Sequence, residues 1–146
     1  MVDEITAFDT ESLLESSIGN LQGIILAIVA YYKEKGIDTK EFTFFVGEKF
    51  APGWEVAKEW SIDEVARRIA LNYASMGAVD VKITGEFDAR EIHIKDWPNQ
   101  SYLDGFKIKR SEVNDIFFVI EPIMKYIGLN YEFEVNDDEV ILKIKK

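Results

Sequence analysis

The chain contains no cysteine, which removes disulfides, thiol catalysis, zinc–thiolate sites and iron–sulfur clusters together. Histidine occurs once, as His93. Set between Ile92 and Ile94 on an alternating stretch, it reads as a surface residue of a strand and not as a ligand or general base. Positive charge is scarce: 17 Lys and Arg stand against 27 Asp and Glu, a net charge of −10. Nucleic-acid binding relies on basic side chains that neutralise phosphates, so no such partner is expected. The same charge opposes docking on anionic lipid. The longest hydrophobic run, Ile24 to Tyr32, is nine residues, against the roughly 20 of a membrane span. The start, Met1-Val2-Asp3-Glu4, is acidic where a signal peptide is basic. A cytoplasmic protein is the expectation. Scarce glutamine with abundant Ile, Lys and Glu also suits a thermophile.

Catalytic patterns are missing too. There is no nucleophile elbow, phosphate-cradling glycine loop or dinucleotide fingerprint, and no Ser–His pairing can be argued. The acidic clusters Asp63-Glu64 and Asp137-Asp138-Glu139 lack the spacing of a calcium loop. No catalytic residue, metal or cofactor is therefore assigned. A chain of 146 residues fits one domain with a real core, and residues 1–146 are read as such.

What is present is patterning. Leu129, Tyr131, Phe133 and Val135 alternate with polar residues, turn at Asn136-Asp137-Asp138, and continue as Val140, Leu142 and Ile144. Period-two alternation means strands with one buried and one wet face. A first hairpin spans Val79 to Lys95, with Val79, Val81, Ile83, Ile92 and Ile94 inward. Lys82, Thr84, His93, Lys95, Glu132, Glu134 and Lys143 fall on the opposite, mixed-charge face. Ahead of the hairpins, Asp9 or Thr10 can cap a helix over Glu11–Lys35. Asp38…Glu41 and Ser61…Glu64 have capping-box spacing, opening a short helix toward Phe50 and an amphipathic one closed by Gly77. Asn99 to Lys109, rich in turn formers, reads as the most mobile loop. Ser111 starts a last helix that Pro122 should kink or restart at Glu121. The fold class that follows is α+β: N-terminal helices, then hairpin–helix–hairpin, giving a four-stranded antiparallel sheet with helices on one face.

Two features bear on function. The Ile24–Tyr32 segment is apolar on every side, so it needs cover on more than one face: a monomer's own core, a ligand cavity or a second copy. Gly19 and Gly23, four apart, would let another backbone approach. A homodimer through the Glu11–Lys35 helix, about 37 Å long, hides both surfaces at once. The second feature is aromatic. Phe42, Phe44, Phe45, Phe50, Trp54 and Trp60 crowd around Pro52-Gly53, and Phe117-Phe118 follow later. Such rings either line a cavity for a flat apolar ligand or close the open side of the helical layer.

The order of elements, with the aromatic segment around Gly47 and Gly53 and a helix ending Ala74-Ser75-Met76-Gly77, resembles the 4-vinyl-reductase-type hydrocarbon-binding domain. That fold is shared with haem NO-binding domains and TRAPP-type subunits. The resemblance implies a pocket between helices and sheet and a dimer built through N-terminal helices. Haem is not implied: Tyr73-Ala74-Ser75 is followed by Met76-Gly77, without the arginine of the haem-propionate motif, and His93 lies on a strand. The expected function is a non-enzymatic module holding an apolar or aromatic ligand near Phe45, Trp54, Trp60, Tyr73 and Phe118. The alternative is an assembly subunit that associates through its N-terminal helices.

Overall fold

The computed structural model describes residues 8–146; the acidic lead-in at residues 1–7 lies outside them. Helix α1 spans Thr10–Lys35, and its N-cap Asp9 accepts from the Ser12 N–H. Gly36 ends it in the left-handed conformation, with Lys33 and Lys35 in the last turn, where cations favour the helix dipole. Helix α2 spans Thr39–Phe50 behind the Asp38 cap. A 3-10 stretch, Ala51–Glu59, begins at Pro52-Gly53, and α3 runs over Ile62–Ser75. Its capping box is complete, with Ser61 and Glu64 each bonding the other's backbone N–H.

The strands are β1 (Asp80–Glu86), β2 (Ala89–Lys95), β3 (Asn130–Asn136) and β4 (Glu139–Lys145), in the order β1-β2-β4-β3, all antiparallel. The two hairpins thus join through β2 and β4. Ile92 pairs with Leu142 and Ile94 with Val140, and these four are buried. The helices cover this face only. On the outer face His93 bridges Thr84 (3.0 Å) and Glu139 (2.8 Å), and Lys143 pairs with Glu134 at 3.0 Å.

Three details depart from expectation. β1 is an edge strand: the helical layer half-covers Val81 but leaves Ile83 and Val79 exposed. The segment read as a mobile loop holds helix α4 (Gln100–Phe106), with Leu103 and Ile108 buried. Its turn formers Ser101, Asp104 and Gly105 lie on the exposed side, which masked the helix. The last helix is broken earlier than Pro122 alone requires. Short 3-10 turns at Arg110–Glu112 and Asn114–Val119 precede α5, Ile120–Tyr126. Pro122 then sits in the first turn, where its missing N–H costs nothing.

Helix α1 rests on α4, α2 on the 114–119 segment and α5, α3 on β2 and β1, and α5 on β3. The closest of these contacts needs glycine. A Cβ at Gly47 would collide with the Val119 carbonyl and Pro122, so α2 reaches α5 only because Gly47 has none. α1 has another property that its nine-residue apolar run hides: from Ser16 to Tyr32 it carries no charge. By length and composition it could cross a membrane.

Candidate functional site

Between α1, α2 and α3 the helical layer does not close. A chamber of about 460 Å³ lies there, within the 300–1,000 Å³ span of ligand pockets. Its walls follow from helical periodicity. Ile25, Ile28 and Val29 come from α1; Phe42, Val46 and Phe50 from α2; Ile69 and Tyr73 from α3, with Met76 just past its end. Ile116, Val119, Ile120 and Ile123 supply the base, and Trp97, just beyond β2, the inner end. The deep residues Val29, Ile69, Tyr73, Trp97, Ile116 and Ile123 are buried, whereas Leu21 and Phe50 at the rim are exposed. The chamber therefore opens at the seam between α1 and α2. It lies within the helical layer, not between helices and sheet.

Polar groups in the lining are few: Thr39, Thr43, Asn72, Tyr73 and Ser75. The Thr43 hydroxyl donates to the Asp115 carbonyl at 2.8 Å and the Ser75 hydroxyl to the Asn72 carbonyl at 2.7 Å. Among the described residues no Asp, Glu, Lys, Arg or His lines the space, so none of them offers a proton-transfer pair of ordinary strength there. Among the described residues no group of three or more His, Cys, Asp or Glu could hold a metal. Asp63 is instead paired with Arg90 at 2.5 Å.

Of the five residues singled out from sequence, Trp54 and Tyr73 line the chamber. Trp60 lies behind Trp54, ring centroids 6.3 Å apart, with the Arg68 guanidinium over its other side. Phe45 faces out, covered by the Lys49 ammonium at 5.0 Å. Phe118 packs edge-on to Phe133 at 4.9 Å, beneath Lys40. The aromatic crowd thus divides: Phe42, Phe50 and Trp54 line the chamber, Trp60 packs behind Trp54, and Phe45 faces solvent. Compared with known proteins, the sequence matches no family model and no curated relative.

Sequence reasoning missed most of the lining, because α1 and α2 contribute ordinary Ile, Val and Leu. The one available signal was the all-round apolar character of Ile24–Tyr32. Three residues of that run, Ile25, Ile28 and Val29, line the chamber. It also missed what holds the chamber's inner end. Gln22, fully buried on α1, donates to the Met76 carbonyl and to Asn99 Oδ1, both at 2.8 Å. The Trp97 indole N–H donates to the same Met76 carbonyl at 3.0 Å, fixing the ring that ends the cavity. Gly77, at φ 98°, makes room for this network: a Cβ there would meet Ile18 and the Gln22 amide.

Gly19 and Gly23 do not mark a crossing between copies. Tyr102 and Phe106 of α4 sit over them, so these glycines let α4 of the same chain approach. The outward side of α1 stays bare, with Leu13, Leu14, Ile24 and Tyr31 each more than half exposed.

Proposed function

We propose that this protein is a non-enzymatic binding module that holds an apolar or aromatic small molecule in the chamber between α1, α2 and α3. The observation that carries this reading is a chamber of about 460 Å³ with walls almost wholly of Ile, Val, Met and aromatic side chains. A concave, mostly apolar chamber of this size with one open side has the usual form of a small-molecule site. Among the described residues the lining holds no charged or nucleophile–base pair, which favours binding over chemistry.

The test is extraction of the purified protein for a co-purifying hydrophobic compound, followed by thermal shifts with flat apolar compounds such as biphenyl and fluorene. A ligand at about a hundred times its Kd adds about 2.7 kcal/mol by mass action, a shift of several degrees. No shift across such a panel overturns the reading.

A second reading rests on a separate observation, the bare stripe of Leu13, Leu14, Ile24 and Tyr31 along α1. It supports a homodimer paired through α1, with each large apolar side chain contributing roughly 1.5–3 kcal/mol on burial. Leu21 belongs to both the stripe and the chamber's rim, so pairing there would narrow the mouth.

A further inference from the structure

Tyr73 is 3% exposed, and its ring is held edge-on to Trp97 at 4.9 Å and tilted against Phe117 at 6.1 Å. Its hydroxyl bonds to no described residue, although the neighbouring phenol, Tyr131, donates to the Phe117 carbonyl at 2.7 Å. Buried hydroxyls almost always have partners. No polar side-chain atom among the described residues is both sealed off and unpaired. The little exposure left to Tyr73 therefore includes its hydroxyl, and Tyr73 is one of the residues that line the chamber. Burial raises its pKa well above the ordinary tyrosine value, so the group stays protonated and available as a donor. Thr39 and Asn72, also in the lining, have no side-chain bonds among the described residues either, but only Tyr73 combines a missing partner with a ring locked by stacking at the inner end. No counter-ion among the described residues lines the chamber, and an ion left there without one would be strongly disfavoured.

We propose that the ligand of this chamber is an uncharged, flat apolar molecule bearing a carbonyl-type acceptor, whose oxygen takes the Tyr73 hydroxyl proton in a hydrogen bond. This rests on the chamber being a ligand site. Hydrocarbon contact with the walls supplies affinity, and the phenol selects one end of the molecule.

The test compares fluorene with 9-fluorenone, which have the same outline and differ by one carbonyl, on the whole protein and on Tyr73→Phe. Their affinity ratio in the unmodified protein, divided by the ratio in Tyr73→Phe, should be about five- to tenfold in favour of fluorenone, as one added hydrogen bond gives. Fluorene itself should bind both proteins alike. The carbonyl stretch of fluorenone bound to the unmodified protein should lie below its position in hexane, a readout that needs no variant. Binding of both probes with equal ratios in the two proteins, or an unshifted stretch, overturns the assignment of Tyr73 and leaves the chamber as a plain hydrocarbon site. Failure of both probes to bind overturns the ligand-site reading itself, and this inference with it.

Discussion

Gln22 and Asn99, 77 residues apart in the chain, bond each other twice: the Gln22 amide donates to Asn99 Oδ1, and the Asn99 backbone N–H donates back to Gln22 Oε1, both at 2.8 Å. Asn99 also donates to the Gly77 and Asp96 carbonyls at 2.8 and 2.7 Å. One pair of side chains thus ties α1 to the end of α3 and to the turn that leads into α4. Fully satisfied networks of this kind specify a unique core, and half-broken ones are costly. Gln22→Leu keeps the volume but orphans the Asn99 N–H and Oδ1. A loss of about 2–4 kcal/mol is expected, read as a lower urea midpoint with an unchanged m-value.

Filling the chamber should separate binding from folding. Val46 lines it from α2 and is itself only half-buried, so Val46→Trp can place its ring in the void without displacing packed atoms. The expected outcome is at least about tenfold weaker binding of fluorene, since the void that would hold the probe is lost, with a melting temperature equal to or above that of the unmodified protein. Isothermal titration and a thermal melt on the same sample measure both.

The dimer reading predicts a mass of about twice the 16.8 kDa chain by light scattering at micromolar concentration. Ile24, 61% exposed on α1, is the residue to change, because Ile25 and Ile28 line the chamber. Ile24→Glu should halve the mass with little change in circular dichroism. An unmodified protein that already runs as a monomer counts against pairing through α1.

Asp115 and Asp38 face each other where the 114–119 segment meets α2. Burial and the Asp38 carboxyl raise the pKa of Asp115, while the Lys40 backbone N–H lowers that of Asp38. A carboxyl raised in the fold costs nothing below its unfolded value and destabilises progressively as pH rises through the folded value. Asp38 behaves oppositely, adding stability above its unfolded value that is lost as pH falls. Asp115→Asn should therefore raise the melting temperature at pH 7 by about 1–3 °C, given partial solvent screening. The gain should vanish as pH falls to the ordinary aspartate value of 3.8. Melts at the two pH values decide it.

Local chemistry was enough for the elements and their class. Period-two alternation in Leu129–Val135 and Val140–Ile144 forces strands with one dry face, and the Ser61…Glu64 box and Gly36 mark helix ends, because these depend on neighbours within a few residues. Which of two faces an apolar residue serves is not a local property. On α1, Leu26 is wholly buried, Ile28 lines the chamber and Ile24 is open to solvent, although all three are equally apolar in sequence. The same limit hid α4, whose identity rests on Leu103 reaching the core and Tyr102 finding space over Gly19. It separated Phe42, which lines the chamber, from Phe45, which faces solvent, and put Trp54 in the lining with Trp60 behind it. The chamber itself could only appear in three dimensions: α1 is held by Gln22 and α4 while α2 is drawn onto α5 at Gly47, the two helices meet at Tyr32 and Phe42 with ring centroids 5.4 Å apart, and no residue-by-residue pattern records how far they stand apart beyond that contact.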